Sequence, residues 1–272
     1  MKKIGQLYQR FNLLSFDVAG GAIASALYFA RILHVQVRPF GVICLGLTVW
    51  IIYTADHLFD VWSIKTPAST TRHKFHQQHF GLLLALLVLA TGVDLVVAFL
   101  IRATVFRWGI ALTAVVGIYF LIQAKLKFLK ELAGAILYSA GILLPSLPVA
   151  EAPVPRVVFL LILIFAVTAL INLILFSWFD APRDMQDKRS SLITALGVET
   201  GKRVLWILFL LQAIGLAYLF LFADGWERTV VLLLMNLILF FVFIRHHFFS
   251  VHDRYRYAGD AVFFLPLIYL FK

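Results

Sequence analysis

Asn172–Ser191 reads NLILFSWFDAPRDMQDKRSS, an apolar run that breaks into Asp, Arg and Lys. The run has the character of a membrane helix, and the charged cluster lies at its end. Asp180 and Asp184 are spaced i,i+4, which places both carboxylates on one helix face, with Asp187 a further turn along. Such acids repel unless neutralised. They either pair with neighbouring Arg183, Lys188 and Arg189 or hold a hard cation such as magnesium, which binds through one or two carboxylates plus substrate phosphates. A charged helix end alone does not decide between the two. Pro182 stands between the acids and lacks a backbone N–H, so a kink or restart of the helix is expected there.

A second copy strengthens the functional reading. Asp56 and Asp60, in TADHLFDVW, also lie i,i+4 at the end of an apolar run, and each precedes its counterpart by 124 residues. This predicts an internal duplication, two four-helix repeats plus a ninth helix, with the acidic ends facing across a shared cavity.

Composition agrees with a membrane setting. The 272 residues are 62% hydrophobic and only 14% charged, against about 25% charged in soluble domains. One all-α, polytopic membrane bundle over 1–272 is expected, with no room for a soluble domain. The net charge of +10 invites a nucleic-acid partner, but the basic residues fall in short loops between spans, so none is expected. A single cysteine, Cys44, excludes a disulfide framework and reads as a buried, inert thiol.

Nine apolar runs follow one another: Ser15 to Leu33, Pro39 to Phe59, Phe80 to Ile101, Thr104 to Gln123, Leu132 to Val149, Val157 to Trp178, Val204 to Ala223, Thr229 to Ile244 and the shorter Ala258 to Phe271. With alternating topology, 17 of the 24 Lys and Arg fall on one side. The positive-inside rule puts that side, with the N-terminus and both acidic clusters, in the cytoplasm. No small-residue cleavage site follows the basic N-terminus, so an uncleaved inner-face segment is expected. Asp17 and Asp94 are costly in apolar stretches and should face the bundle interior or a neighbouring helix.

Basic residues accompany each acidic pair. Lys65, Arg72 and Lys74 follow the first, Lys188 and Arg189 the second, and Lys125 and Lys127 end the fourth run. Both signs on one side of a cavity fit a magnesium-bridged diphosphate, while positive-inside charge with surface pairing is the plainer explanation. Histidines offer a competing chemistry. His73, His76 and His79 recur in RHKFHQQH, and His246, His247 and His252 follow the eighth run on the same side, which leaves open a His-ligated membrane oxidoreductase or a solvated loop. The 26 Phe either face lipid or line a cavity, where Phe and Trp faces stabilise a cation.

The acidic pairs and their basic neighbours resemble the UbiA superfamily of intramembrane prenyltransferases. FDAPRDMQDKRSSLITALG is similar to the family's second Asp-rich motif, closing on Gly197; LKFLKEL resembles its basic turn between the fourth and fifth helices, and TRHKF the segment after the first motif. The first motif departs from the family's NDxxDxxxD. Asp56 stands for the Asn, His57 for the first Asp and Ile64 for the last, with Asp60 retained. The resemblance implies transfer of a prenyl group from a prenyl diphosphate to an aromatic or other lipid-soluble acceptor. By residue, it implies Mg2+ at Asp60, Asp180 and Asp184 with Asp56 supporting, and diphosphate contacts from Arg72, Lys127 and Lys188. A non-catalytic relative that binds an isoprenoid or quinone is the alternative.

Overall fold

The computed structural model describes residues 2–63, 70–151, 153–187 and 190–271. Fourteen α-helices appear among them, in the order α1 (Lys2–Leu13), α2 (Phe16–Ile32), α3 (Pro39–Ser63), α4 (Thr71–Gln78), α5 (Phe80–Ala98), α6 (Ala103–Leu126), α7 (Lys130–Leu143), α8 (Arg156–Gln186), α9 (Leu192–Leu196), α10 (Val198–Phe222), α11 (Trp226–Ile244), α12 (His246–Ser250), α13 (Arg254–Ala261) and α14 (Leu267–Leu270). No strand occurs among the described residues. The chain is an all-α bundle.

Among the described residues, seven helical segments are long and apolar enough to cross a membrane: α3, α5, α6, α7 with its flanking turns, α8, α10 and α11. The nine expected runs all fall on helix, but two are not of that kind. α2 has 17 residues, at the lower end of a spanning length. The last run is broken into α13, a short 3-10 turn at Val262–Phe264, and α14, which starts after Pro266. Proline lacks the N–H that would continue the ladder.

The outer surface explains itself in lipid. On α5 only Leu83 is buried, while Leu82, Val88, Leu89, Leu95 and Val96 are exposed. Burying apolar surface gains roughly 25 cal/mol per Å² over leaving it in water, so a helix bare on nearly every face is stable only where the surroundings are themselves apolar. This is the surface of a multi-pass membrane protein.

Inside, small residues and polar ties replace the hydrophobic drive that lipid removes. The stretch Ala19–Ala26 of α2 is AGGAIASA, and a Cβ at Gly21 would lie 2.7 Å from that of Phe263, so glycine there admits the C-terminal segment. Phe263 then packs edge-on to Phe165 and Tyr138 at 5.8 and 5.3 Å. Thr168 on α8 accepts from Gln212 on α10 and Asn236 on α11, each at 3.0 Å, joining three helices through one hydroxyl. The two acids expected inside the bundle are held as anticipated. Asp17 is fully buried and bonded to Asn12, and Asp94 accepts from Thr48 on α3 at 2.7 Å.

α8 runs without a break from Arg156 to Gln186 and carries Pro182 inside it. The expected restart is absent. Proline removes one N–H from the ladder, and the helix continues to its end, where Asp187 N donates to Arg183 O at 2.9 Å. Asp180 and Asp184 therefore share a helix face, as Asp56 and Asp60 do on α3.

Candidate active site between two acidic helix ends

A cavity of about 930 Å³ lies within the bundle, lined from α2, α3, α4, α5, α6, α7, α8 and α13. Asp56 and Asp60 reach it from the last turns of α3, and Asp180 and Asp184 from the last turns of α8. The four acids singled out in the sequence thus line one space. Arg72 of α4 lines it too. Its guanidinium is buried, donates to the Asn12 carbonyl and side-chain oxygens at 3.2 and 2.9 Å, and pairs with Asp260 at 3.6 Å. Anchored in this way, Arg72 has little freedom to swing out.

The second pair is engaged by the C-terminal segment. Tyr255 donates to Asp180 Oδ1 at 2.5 Å, and Arg256 forms an ion pair with Oδ2. Arg256 also lies over the Phe176 ring at 5.2 Å and lines the cavity. In the sequence, Arg256 is one of the 17 basic residues on the positive side and carries no other mark. α13 comes this close to α8 because residue 259 is glycine, since a Cβ there would meet Phe176 at 2.6 Å and collide with the Asn172 side chain. Arg183 turns away to Asp253 at 2.8 Å and stays 3.6 Å from Asp180.

Several expected contacts differ. Lys127 is exposed, in a turn with φ 47°, and does not line the cavity; Lys130, three residues on, does. The turn serves instead to aim Glu131, which accepts from Ser177 of α8 at 2.5 Å and from the Leu192 N–H of α9 at 2.9 Å. Lys188 falls outside the described residues, as do Ile64, Lys65 and Arg189. The segment ending on Gly197 forms a capped turn. Ser191 accepts from the Thr194 N–H at 3.2 Å and its own N–H donates to Thr194 Oγ1 at 2.7 Å, while Gly197 supplies φ 87° at the end. Cys44 is half-buried and lines the cavity, so it is not sealed in the core.

Two of the histidines are not solvated, while His79, His247 and His252 are exposed. His73 and His76 are buried on α4, and His76 packs edge-on against His57 at 4.9 Å. Burial lowers the His76 pKa to about 4, which keeps it neutral at ordinary pH. Thr70 caps the helix by accepting from the His73 N–H at 3.2 Å. His246, His247 and His252 do not line the cavity, so the two histidine groups form no common centre there. Much of the remaining lining is apolar and aromatic, with Tyr53, Phe120, Tyr138, Phe176 and Phe263; tyrosine takes the place expected for tryptophan.

Neither a protein-family model nor a curated protein sequence matches the chain. Solved structures do. A UbiA homologue from Archaeoglobus fulgidus bound to GPP and Mg2+ superposes with a TM-score of 0.70 over 96% of this chain and 97% of that one, at 15% identity. The chain has the fold of the UbiA homologues. Two more UbiA homologue structures agree: the apo form from Aeropyrum pernix K1, with TM-score 0.69, 14% identity and coverage of 94% and 96%, and the A. fulgidus protein bound to DMAPP and Mg2+, with TM-score 0.64, 13% identity and coverage of 95% and 97%. The UbiA-like fold spans nearly the full length of both partners.

Proposed function

We propose that this chain is a member of the UbiA superfamily and an intramembrane prenyltransferase, moving a prenyl group from a prenyl diphosphate to an aromatic or other lipid-soluble acceptor. One observation carries the reading: a single cavity joins two acidic helix ends, two anchored guanidiniums and a long aromatic, apolar wall. A diphosphate with a hydrocarbon tail needs those two environments side by side.

The donor set fits magnesium. Asp56, Asp60, Asp180, Asp184 and Asp260 line the cavity against Arg72, Lys130 and Arg256, an excess of negative charge built from hard oxygen ligands. Asp60, Asp180 and Asp184 would hold Mg2+, with Asp56 supporting; when bound, the ion neutralises diphosphate and so eases its departure. Arg72 and Arg256 would meet the diphosphate oxygens, Arg72 with its other nitrogen held by Asn12. Faces of Tyr53, Phe176 and Phe263 would stabilise the allylic cation left behind, at about 0.5–2 kcal/mol per ring. The same wall keeps out water that would otherwise trap the cation.

Orientation follows the charge bias, with the N-terminus and both acidic ends cytoplasmic. The direct test is magnesium-dependent release of diphosphate from a labelled prenyl donor by purified protein, across donors of increasing chain length, with extracted lipids as acceptors. Binding of the diphosphate without release, at every donor and magnesium concentration, would favour the non-catalytic isoprenoid-binding alternative.

A further inference from the structure

The first acidic helix end carries ligands that magnesium does not call for. His57 and Asp60 sit i,i+3 on α3, and His73 reaches them from α4. One ligand atom from each of the three lies within 4.8 Å of the other two, with Asp60 Oδ2 and His73 Nε2 at 3.9 Å. His57 is only 8% exposed and His73 5%, and all three residues line the cavity. Three residues beyond His73, α4 places His76 against the His57 ring, so packing fixes that ring in position.

Two imidazoles and one carboxylate are a donor set for borderline divalent ions, whereas magnesium prefers oxygen throughout. His57 Nδ1 is buried with no hydrogen-bond partner. Its Nε2 lies 3.3 Å from Arg72 Nη1, and a guanidinium only donates, so that contact occupies the nitrogen's lone pair. Arg72 does not depend on it, because Nη2 is bonded to Asn12 and paired with Asp260.

We propose that His57, Asp60 and His73 bind one divalent transition-metal ion of the zinc class on the α3 side of the cavity. The ion displaces the Nη1 contact of Arg72, leaves that side chain anchored through Nη2, and keeps its remaining coordination positions toward the cavity for water or an anion. This site needs neither diphosphate nor Asp184, but it shares Asp60 with the proposed magnesium site. With Asp60 on the transition-metal ion, magnesium is left to Asp180 and Asp184, with Asp56 supporting.

Cobalt(II) is the probe, titrated into the chelator-treated, detergent-purified full chain and followed by its d–d absorption. One equivalent should bind, and tenfold excess magnesium should not displace it. His57→Gln and His73→Gln should each weaken binding at least tenfold, with unchanged gel-filtration elution and melting temperature as the check on folding. Asp184→Asn and the double variant His246→Gln, His247→Gln should bind like the parent. X-ray absorption on the zinc-loaded parent should show two imidazoles, a readout that needs no variant. Cobalt binding that survives in both His57→Gln and His73→Gln, displacement by magnesium, or a zinc spectrum without imidazole overturns the site. Cobalt binding in a chain that releases no diphosphate would sink the transferase reading alone, and release of diphosphate without cobalt binding would sink this proposal alone.

Discussion

Arg256 and Asp180 form an ion pair across the gap between α13 and α8, 76 residues apart in sequence, and the Asp180 side chain is only 6% exposed. The second acidic pair thus carries a resident cation on its first member. Removing the guanidinium leaves a buried carboxylate with the Tyr255 hydroxyl and the more distant Arg183 as its polar neighbours. Loss of one partner from a buried pair costs about 3 kcal/mol or more. Arg256→Gln should therefore lower the melting temperature in detergent clearly, and Asp180→Asn combined with Arg256→Gln should recover part of the loss. An unshifted melting temperature in Arg256→Gln would mean that the pair is not formed in the membrane protein.

Gly259 is the hinge point of the same contact. A valine there meets Phe176 and Asn172, so α13 has to move off α8. Overpacking of this kind costs about 1–3 kcal/mol. Gly259→Val should be destabilised by that order in denaturant titration and should also weaken diphosphate release, because Arg256 moves with α13. Full stability with full activity would contradict the packing described.

Thr168 supplies a control far from the acids. Its hydroxyl accepts from both Gln212 and Asn236, and Thr168→Val leaves those two amides without it. Interhelical bonds in membranes are worth about 0.6 kcal/mol on average and up to about 1.7. A loss of roughly 1–2 kcal/mol is expected in unfolding by mixed micelles, with the magnesium dependence of diphosphate release unaltered.

Orientation is open to a reporter experiment. With 17 of 24 basic residues on one side, fusions after Lys65 or Lys188 should report cytoplasm and one near Arg156 the opposite face. Reversed labelling would remove the cytoplasmic assignment of both acidic ends.

What the sequence carries locally, it carries well. Spans, the two i,i+4 acid pairs and Arg72 are legible because hydropathy and helical spacing act within a few turns. Of the kink or restart that Pro182 suggests, the restart does not occur, because proline's cost is local whereas the long α8 is packed along much of its length. The histidines of RHKFHQQH read as a loop because eight residues have no apolar stripe; what makes them α4 is the Thr70 cap and the face they bury against α3. Arg256 was not legible at all. Its role depends on meeting Asp180, and no short-range pattern encodes that meeting; the alternation in RYRY, with Gly259 close behind, is the only local trace.

The central claim is that the second acidic pair is the metal-holding part of a diphosphate site. Asp184 lines the cavity on the face of α8 that also bears Asp180, while Asp56 stands where the resembling family has an amide. The deciding measurement is release of diphosphate from a labelled prenyl donor, with magnesium titrated, in the parent, Asp184→Asn and Asp56→Asn. Asp184→Asn should fall by a hundredfold or more, about 3 kcal/mol of transition-state stabilisation at 1.4 kcal/mol per tenfold, and should need more magnesium, with Asp56→Asn close to the parent. Turnover of Asp184→Asn equal to the parent at every magnesium concentration would contradict the account and reduce the second pair to a charged helix end.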